Sequence, residues 1–361
     1  MQALLFLPDI SGFTKFVNDT EIEHSQHILR DLLEVILDVN QLNLTVSEIE
    51  GDAVFFYRMG EAPALEEMLQ QIEKMFLSFH TYIKEIERDR ICDCGACRTA
   101  INLTLKFIVH YGDINISKIK EHTKLVGKDV IIAHRLLKNN IEGDEYVLLS
   151  APFMNSDKNK NTELRIEWAE QRNGSVRYDH IGDVDYTYVI LTQLKSRIPQ
   201  ISHLKTKNNR SKHPVIVKQW INAPMSLLYN ALIDLSLRMK WTDGLKSIHF
   251  DENEIPRIGS KHICEVSFGE LELETIQRKL QKGMIEYAER ANNLTIVRNA
   301  TTFYIMKDSE DGTLLIVEFH YRPRPVIGWI INLFFRPAMR KSLTRSIKNF
   351  KIFCEDLYSK N

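Results

Sequence analysis

The sequence predicts an α+β protein with two domains, residues 1–193 and residues 213–361. Three observations lead to this prediction. Upstream of residue 194, short apolar runs typical of buried strands alternate with amphipathic helical patterns. Downstream of residue 212, strand-like stretches follow one another, and a long helical pattern ends the sequence. Between them, residues 194–212 carry six basic side chains, one proline and no acid, which is typical of a linker.

The composition is that of an ordinary globular protein. Of 361 residues, 44% are hydrophobic and 26% are charged, which excludes disordered and collagen-like classes. The net charge of −1 argues against nucleic acid as a partner. We find no signal peptide and no apolar run of the ~18 residues that a membrane span requires, so we expect a cytoplasmic protein. The basic terminal helix, with its apolar residues 326–335, fits either a peripheral membrane contact or an ordinary amphipathic helix.

In the N-terminal domain, the pattern predicts strands and helices in turn. A buried strand over residues 3–7 ends at Pro8-Asp9, and an amphipathic helix follows over residues 21–42. Two strands, over residues 42–49 and 53–57, form a predicted hairpin around Gly51-Asp52. The remaining predicted elements are a helix over 64–86, a strand over 103–110, a helix over 130–139 and strands over 146–150 and 186–191.

In the C-terminal domain, the predicted elements begin with a strand over residues 215–221. A helix then runs from Asn222, a candidate cap, to residue 239. A long helix over residues 326–358, bent at Pro337, ends the domain. The strands between these helices are predicted over residues 262–266, 271–276, 284–288, 294–299 and 314–321.

Two aspartates, Asp9 and Asp52, lie where predicted strands meet turns that contain Gly12 and Gly51. Carboxylates at neighbouring strand ends can hold hard cations through oxygen ligands, and two ions could clamp a triphosphate. The backbone amides around Gly12 and Phe13 are candidate phosphate contacts, as in other anion-binding turns. The alternative, which the spacing leaves open, is that both aspartates merely cap turns.

Three separated segments carry motifs, "DISGFTKF" at residues 9–16, "EGDAVFF" at 50–56 and "LVGKDVIIAHRL" at 125–136. With "KFIVHYGD" before the third segment, they resemble the class III adenylate/guanylate cyclase homology domain over residues 1–192. The resemblance implies a ferredoxin-like nucleotide-cyclase α/β sandwich that forms a head-to-tail homodimer and binds a nucleoside triphosphate. In that family, the aspartates that match Asp9 and Asp52 bind two Mg²⁺ or Mn²⁺ ions.

The departures from this family decide the expected activity. Arg135 matches the transition-state arginine of the family, whereas Ile131 stands where the family has a transition-state asparagine. Glu48 falls on a base-recognising position of the family, where a carboxylate can accept hydrogen bonds from the N–H edge of guanine. Lys124 falls on the second base-recognising position, where its ammonium group could pair with Glu48 or contact phosphate. The closing hairpin offers His180 and acids where the family has a lysine. A degenerate domain that binds nucleotide is therefore favoured over an active cyclase.

Three thiols, Cys92, Cys94 and Cys97, crowd into six residues. This segment is similar to a "CxCxAC" element of a bacterial branch of cyclase-like proteins (DUF2652-like). The thiols suit a zinc site, with His80, His110 or a second chain as the fourth ligand, a redox pair at Cys94 and Cys97, or neither. Other histidines share no spacing with acids or cysteines and are interpreted as ordinary core or surface residues: His24, His27, His122, His134 and His213.

Residues 213–361 resemble the START-related helix-grip fold, the SRPBCC or polyketide-cyclase-like group. The resemblance rests on a strand that runs into a helix with Pro224 near its start and Trp241 near its end, and on the terminal helix. It implies an apolar small-molecule ligand between sheet and helix. Aromatic candidates for the lining, although such residues more often belong to a plain core, are Trp220, Trp241, Phe268, Phe303, Phe319 and Trp329.

Three functions follow from these interpretations. The first is a signalling or regulatory protein that binds nucleotide or divalent metal in one domain and an apolar molecule in the other. The second is an active cyclase that prefers GTP over ATP. The third is a lipid or polyketide carrier in which the N-terminal domain serves as a dimerisation scaffold.

Overall fold

The computed structural model divides the chain into two compact units, each described by itself below. The first comprises Met1–Arg88 and Cys94–Ser202, and the second Asp89–Asp93 and His203–Asn361. Residues whose structure is not described are 19–21, 121, 161–169, 202–209, 252–255, 268, 295–296, 324–327 and 361, and the side chains of 22–23, 122–123 and 328–332.

A mixed seven-stranded sheet forms the centre of the first unit. Its strands are β1 (Gln2–Ser11), β2 (Thr45–Glu50), β3 (Ala53–Met59), β4 (Thr104–Asp113), β7 (Tyr146–Ser150), β8 (Gln171–Tyr178) and β9 (Gly182–Ile190). Their order is β2-β3-β1-β4-β7-β9-β8, with β4 and β7 parallel and the other neighbours antiparallel. A separate hairpin consists of β5 (Asn115–Ile119) and β6 (His122–Val126).

Helices cover both faces of this sheet. They are α1 (Phe13–Asn18), α2 (Ile22–Asp38), α3 (Leu65–Asp89), α4 (Gly95–Thr99), α5 (Lys128–Leu136) and α6 (Ala151–Met154). Leu5 and Leu7 of β1 share a buried cluster with Ala133 and Leu136 of α5. The alternate residue Phe6 is also fully buried and stacks on other aromatic rings of the sheet. Because successive side chains of a strand point to opposite faces, both faces of β1 must be covered.

The second unit contains a seven-stranded antiparallel sheet. Its strands are β10 (Val215–Ile221), β11 (Leu245–His249), β12 (Lys261–Val266), β13 (Gly269–Gln281), β14 (Met284–Ala291), β15 (Val297–Ser309) and β16 (Gly312–Pro323). Their order is β10-β16-β15-β14-β13-β12-β11. The first and last strands in sequence are therefore neighbours, and the pairing of β10 with β16 runs from Val215 opposite Phe319 to Ile221 opposite Thr313.

Among the described residues of this unit, the α-helices are α7 (Met225–Ile233), α8 (Arg238–Trp241) and the 33-residue α9 (Gly328–Lys360). Helix α9 contacts β10, β16, α7 and α8. It continues through Pro337 and buries Ile347, Phe350 and Cys354. Its exposed apolar side chains include Leu333 and Phe334. Within the described part of the chain, no helix is long and apolar enough to span a bilayer.

The α+β composition is confirmed, and the differences from the predicted elements have local causes. Helix α5 ends at Leu136, because the Asn139 side chain donates a hydrogen bond to the Leu136 carbonyl (2.7 Å). The hairpin β5–β6 and most of β13 were missed because few of their residues are apolar. Most of β15 was also missed, although it contains the apolar run of residues 303–306. The predicted linker, 194–212, lies partly outside the described residues, and its first residues belong to a 3₁₀ turn, Thr192–Arg197.

Candidate functional site

Strand pairing brings Asp9 and Asp52 together at one end of the first sheet. Asp9 of β1 lies opposite Ala53 of β3, and Asp52 occupies the turn between β2 and β3 with Gly51 at φ +63°. The Ile10 amide donates a hydrogen bond to the Asp52 carbonyl (3.1 Å). Burial, and then the negative charge of Asp9, raise the pKa of the Asp52 carboxyl. A cation beside this pair would relieve the repulsion, so the carboxylates fit a hard divalent ion.

Lys106 occupies one side of this carboxylate pair. It lies opposite Asp9 in the register of β1 and β4, and its Nζ is 2.9 Å from Asp9 Oδ2. Burial would lower the pKa of Lys106, but the charge of Asp9 prevails and raises it. Lys106 therefore stays charged and occupies one of the Asp9 oxygens that two metal ions would use. Sequence reasoning missed this residue, although a lysine within an apolar strand was a usable signal.

The turn after β1 was expected to offer backbone amides to phosphate. Gly12 has φ +87° and begins the turn into α1, and the Phe16 amide donates to the Gly12 carbonyl (3.0 Å). The Ile10 amide is bonded to Asp52, so it cannot contact a ligand. Gly12 and Phe13 remain as candidates. The buried Ser11 hydroxyl lies beside them and has no hydrogen-bond partner among the described residues.

One cleft is lined by the two residues at base-recognising positions of the resemblance, Glu48 and Lys124, and by the two at its transition-state positions, Ile131 and Arg135. Glu48 comes from β2, Lys124 from β6, and Ile131 and Arg135 from α5. The cleft has a volume of about 850 Å³, which is within the range of small-molecule sites. The other lining residues are Glu50, Leu125, Val126, Gly127, Val130, His134, Leu137 and Lys138.

The hairpin β8–β9 holds Arg135 at this cleft. The Arg135 Nη1 donates to the Asp179 carbonyl (3.0 Å), and the guanidinium lies 5.9 Å from the Tyr178 ring centroid. The Tyr178 hydroxyl donates to the carbonyls of Arg135 (2.7 Å) and Lys138 (2.9 Å). Burial raises the pKa of Tyr178 to about 12, so this hydroxyl remains a donor at neutral pH. Because a guanidinium carries five N–H donors, one such bond leaves Arg135 able to bind a phosphate.

His134, which was interpreted as an ordinary histidine without a shared spacing to acids, lies beside an acid in the structure. Its Nδ1 lies 3.4 Å from Glu50 Oε2, and its ring packs edge-on against Phe55. One ligand atom from each of Glu48, Glu50 and His134 lies within 4.8 Å of the others. Residues i and i+2 of a strand lie on one face of the strand, and residues i and i+3 of a helix lie on one face of the helix. These spacings could have predicted that Glu50 lies on the same face as Glu48, and His134 on the same face as Ile131.

The carboxylate pair and the cleft are separate within one chain. Neither Asp9 nor Asp52 is among the residues that line the cleft. Within the described residues, one chain therefore presents two separate groups of polar side chains: the carboxylates of Asp9 and Asp52, and the cleft that contains Glu48 and Arg135.

The cysteine segment lies against α2. The His24 Nδ1 is 3.2 Å from Cys94 Sγ and 3.7 Å from Cys97 Sγ. His24, which was interpreted as an ordinary residue, thus lies beside two of the three thiols in the structure. The suggested fourth ligands lie elsewhere: His80 Nε2 is 3.3 Å from Glu145, and His110 lies between Ser150 (2.8 Å) and Asp129 (3.0 Å). His24 and Cys94 are 70 residues apart in the chain, so the sequence pattern could not predict their contact. The contact results from the packing of α2 against α4.

The interior of the second unit is more polar than the sequence suggested. Arg238 and Glu289 are buried and form an ion pair, and the Tyr287 hydroxyl donates to Glu289 (2.8 Å). Burial lowers the pKa of His262 to about 4, so its imidazole is neutral at pH 7. Burial also raises the pKa of the Cys264 thiol to about 11. The core of this unit therefore contains a buried ion pair as well as apolar side chains.

The aromatic residues suggested as a ligand lining belong mostly to the core or the surface. Trp241 packs on Phe350 with ring centroids 4.9 Å apart, and Phe303 is buried against other side chains. Trp220 is 40% exposed. Phe268 and the Trp329 side chain lie outside the described residues.

The family model described as "Protein of unknown function (DUF2652)" matches residues 29–146. A curated relative, "Uncharacterized protein Rv2561/Rv2562" of Mycobacterium tuberculosis, is 33% identical over 122 residues, which are 34% of this chain and 57% of the relative. The chain thus spans little more than half the length of that relative. The matched region includes Asp52, Ile131 and Arg135 but neither Asp9 nor His24.

Solved structures of cyclases cover about half of the chain. The adenylyl cyclase CyaB from P. aeruginosa is 16% identical with a TM-score of 0.38, over 56% of this chain and 96% of that chain. The guanylate cyclase domain of RhGC from Catenaria anguillulae, in complex with GTP, is 15% identical with a TM-score of 0.37, over 52% and 95%. At these values, the similarity carries no conclusion about activity, substrate or partner. The chain is thus similar in part to a family of unknown function and, at low identity, to nucleotide cyclases.

Proposed function

We propose that the first unit binds a nucleoside triphosphate together with a divalent cation, and that it forms cyclic nucleotide slowly or not at all. The observation that carries this proposal is the cleft of about 850 Å³ lined by Glu48, Lys124, Ile131 and Arg135. A carboxylate at one wall accepts N–H groups of a base, while Lys124 and Arg135 donate to phosphate oxygens. Ile131 offers no hydrogen bond, so one transition-state contact is missing.

The separation of the Asp9–Asp52 pair from the cleft supports a head-to-tail homodimer. Asp9 and Asp52 of one protomer would complete the cleft that contains Arg135 of the partner subunit. Mg²⁺ or Mn²⁺, when bound, neutralises charge on a triphosphate and on the attacking oxygen. The chain's own contribution is to hold Asp9 beside Lys106 and to keep Asp52 partly buried, so that a cation favours its ionised form. Since Lys106 occupies one Asp9 oxygen, we propose one firmly bound ion rather than two.

Nucleotide titration of the full-length protein tests this proposal. We expect heat from GTP with Mg²⁺ or Mn²⁺ and a weaker signal from ATP, because Glu48 accepts from the N–H edge of guanine. Arg135→Ala should weaken binding by about ten- to a hundredfold, the value of a charge-assisted hydrogen bond. Arg177→Ala is the matched control, because this substitution removes the same charge from an exposed position on β8. No heat from either nucleotide, or an Asp52→Asn variant that matches wild type, contradicts the proposal.

An active cyclase is the second candidate, and the retained Arg135 favours it. It predicts cyclic nucleotide in a purified sample with GTP, at a rate that disappears in Asp9→Ala. Failure to detect product with either metal, in a sample that binds nucleotide, excludes this candidate and leaves the binding proposal intact.

For the second unit, we propose a helix-grip ligand-binding domain of the START-like group. The pairing of β10 with β16 and the contact of α9 with both strands support it. The buried pair Arg238–Glu289 favours a ligand with an apolar body and a polar group over a plain hydrocarbon. Native mass spectrometry of the full chain should show a retained small molecule, and a mass that equals the polypeptide alone argues against it. A retained lipid in a protein that binds no nucleotide would favour the carrier function.

A further inference from the structure

One group of metal-ligating side chains in the first unit lies outside the nucleotide cleft. It consists of His24 on α2 and of Cys94 and Cys97 at the start of α4. The Nδ1 and the two sulfurs lie within 4.8 Å of one another, with His24 Nδ1 3.2 Å from Cys94 Sγ and 3.7 Å from Cys97 Sγ. Cys97 is fully buried, and the other two side chains are half-buried.

The local backbone explains why the two thiols point to the same place. Cys94 is the residue that caps α4, and its sulfur accepts a hydrogen bond from the Cys97 amide (3.4 Å). Cys97 lies three positions further, on the same end of the helix. Helix α4 packs against α2, which supplies the imidazole. The arrangement thus depends on one tertiary contact added to one local motif.

We propose that His24, Cys94 and Cys97, together with Cys92, form a structural zinc site. Zinc binds thiolate sulfur at about 2.3 Å and imidazole nitrogen at about 2.0 Å in a tetrahedron, which separates nitrogen from sulfur by about 3.5 Å. The two observed separations, 3.2 and 3.7 Å, lie on either side of this value. A disulfide between Cys94 and Cys97 would give the imidazole no role, whereas a zinc ion accounts for all three groups.

The fourth ligand comes from the chain next to Cys94. Cys92 precedes it by two positions, so their Cα atoms are at most about 7 Å apart and one ion can reach both thiols. Three thiolates and one imidazole are a donor set of closed structural zinc sites, which leave no position for a substrate. Each thiol releases its proton to solvent when the ion binds.

The position of the site indicates what the ion does. Helix α4 contacts both α1 and α2, and α1 follows Gly12 at the end of the strand that bears Asp9. A bound zinc ion would link α2 to α4. Because α4 also contacts α1, the ion would stabilise the turn at Gly12, beside the carboxylate pair. The proposal does not depend on nucleotide binding, since none of its residues lines the cleft.

Metal analysis of the full-length protein, purified under reducing conditions without chelator, tests the site. We expect one zinc per chain by mass spectrometry of the elements. Cobalt in place of zinc should give the intense visible bands of a tetrahedral ion and a thiolate charge-transfer band. His24→Gln and Cys97→Ser should each lose at least about tenfold in zinc affinity against a chromophoric chelator. His27→Gln is the matched control, because His27 lies on the same helix with its ring 6.5 Å from that of His24.

Three results would overturn the proposal. One is a reduced, folded wild-type protein that binds neither zinc nor cobalt. The second is a Cys94–Cys97 disulfide that, once reduced, yields no metal binding. The third is a His24→Gln variant with wild-type zinc affinity. If the variants fail to fold, as judged by circular dichroism, the cobalt spectrum of the wild type decides the matter, because an octahedral spectrum without thiolate bands excludes the site.

Discussion

Replacing Ile131 by asparagine tests the cleft most directly. The Ile131 side chain is 51% exposed, lines the cleft and lies one helical turn before Arg135. Full burial of an isoleucine contributes about 1.5–3 kcal/mol, so a half-exposed one contributes about 1 kcal/mol. The helix propensities of isoleucine and asparagine differ by only a few tenths of a kcal/mol. The substitution should therefore leave the fold intact and add a hydrogen-bond donor and acceptor.

The expected result is a gain of activity. One donor aimed at charge that develops in a transition state is typically worth about 10²–10³-fold in rate. We expect Ile131→Asn to form cyclic nucleotide about 10²-fold faster than wild type, or at a detectable rate if wild type forms none. The assay follows cyclic GMP and cyclic AMP by mass spectrometry, from GTP or ATP with Mn²⁺ or Mg²⁺.

Two variants control for this result. Ile131→Leu keeps the position apolar and should not change the rate. Asp52→Asn added to Ile131→Asn should remove the gain, because the carboxylate pair would no longer hold the cation. If Ile131→Asn binds nucleotide as wild type does and still forms no cyclic product, the interpretation of the cleft as a cyclase-like site is wrong.

Three further predictions concern stability. Burial would raise the pKa of Glu145, but hydrogen bonds to neighbouring side chains lower it to about 2 from an ordinary 4.5. The ionised carboxylate therefore contributes about 2–3 kcal/mol to the free energy of unfolding above pH 4.5. This contribution is lost as the pH falls from 4.5 towards 2, so Glu145→Gln should be less stable than wild type at pH 7 in urea unfolding. The difference in free energy of unfolding between the two proteins should decrease by about 2 kcal/mol at about pH 3, and a difference that stays constant contradicts this prediction. Arg238→Met leaves Glu289 buried and unpaired, and should cost about 3–5 kcal/mol by tryptophan fluorescence in urea, whereas Arg238→Met with Glu289→Leu should recover most of it; equal losses in both variants would refute the pairing. A Cβ on Gly174 would lie 2.6 Å from the Tyr186 ring, so Gly174→Ala should cost about 1–3 kcal/mol, and an unchanged urea midpoint would show that the ring can move.

The pattern of apolar residues was sufficient to predict most elements. The buried strand β1 follows from a continuous apolar run, helix α3 from a period of 3.6, and the hairpin around Gly51-Asp52 from its turn residues. Elements that expose one polar face, such as β5, β6 and much of β13, carry too few apolar residues for this pattern. Their strand character comes from antiparallel pairing with the next strand along the chain, which the pattern of apolar residues does not show.

The candidate sites divide in the same way. Asp9, Asp52, the cysteine cluster and Arg135 are visible from motifs, because each depends on a short stretch of chain. Lys106, His24 and His134 acquire their roles through neighbours from other elements. Which strand lies opposite Asp9, and which helix packs on Cys94, depends on sheet order and helix packing. The amino-acid sequence thus determines most helices and strands through local sterics and periodicity. Which side chains from different elements come into contact is determined only by the tertiary structure, because the burial of apolar surface brings distant segments together.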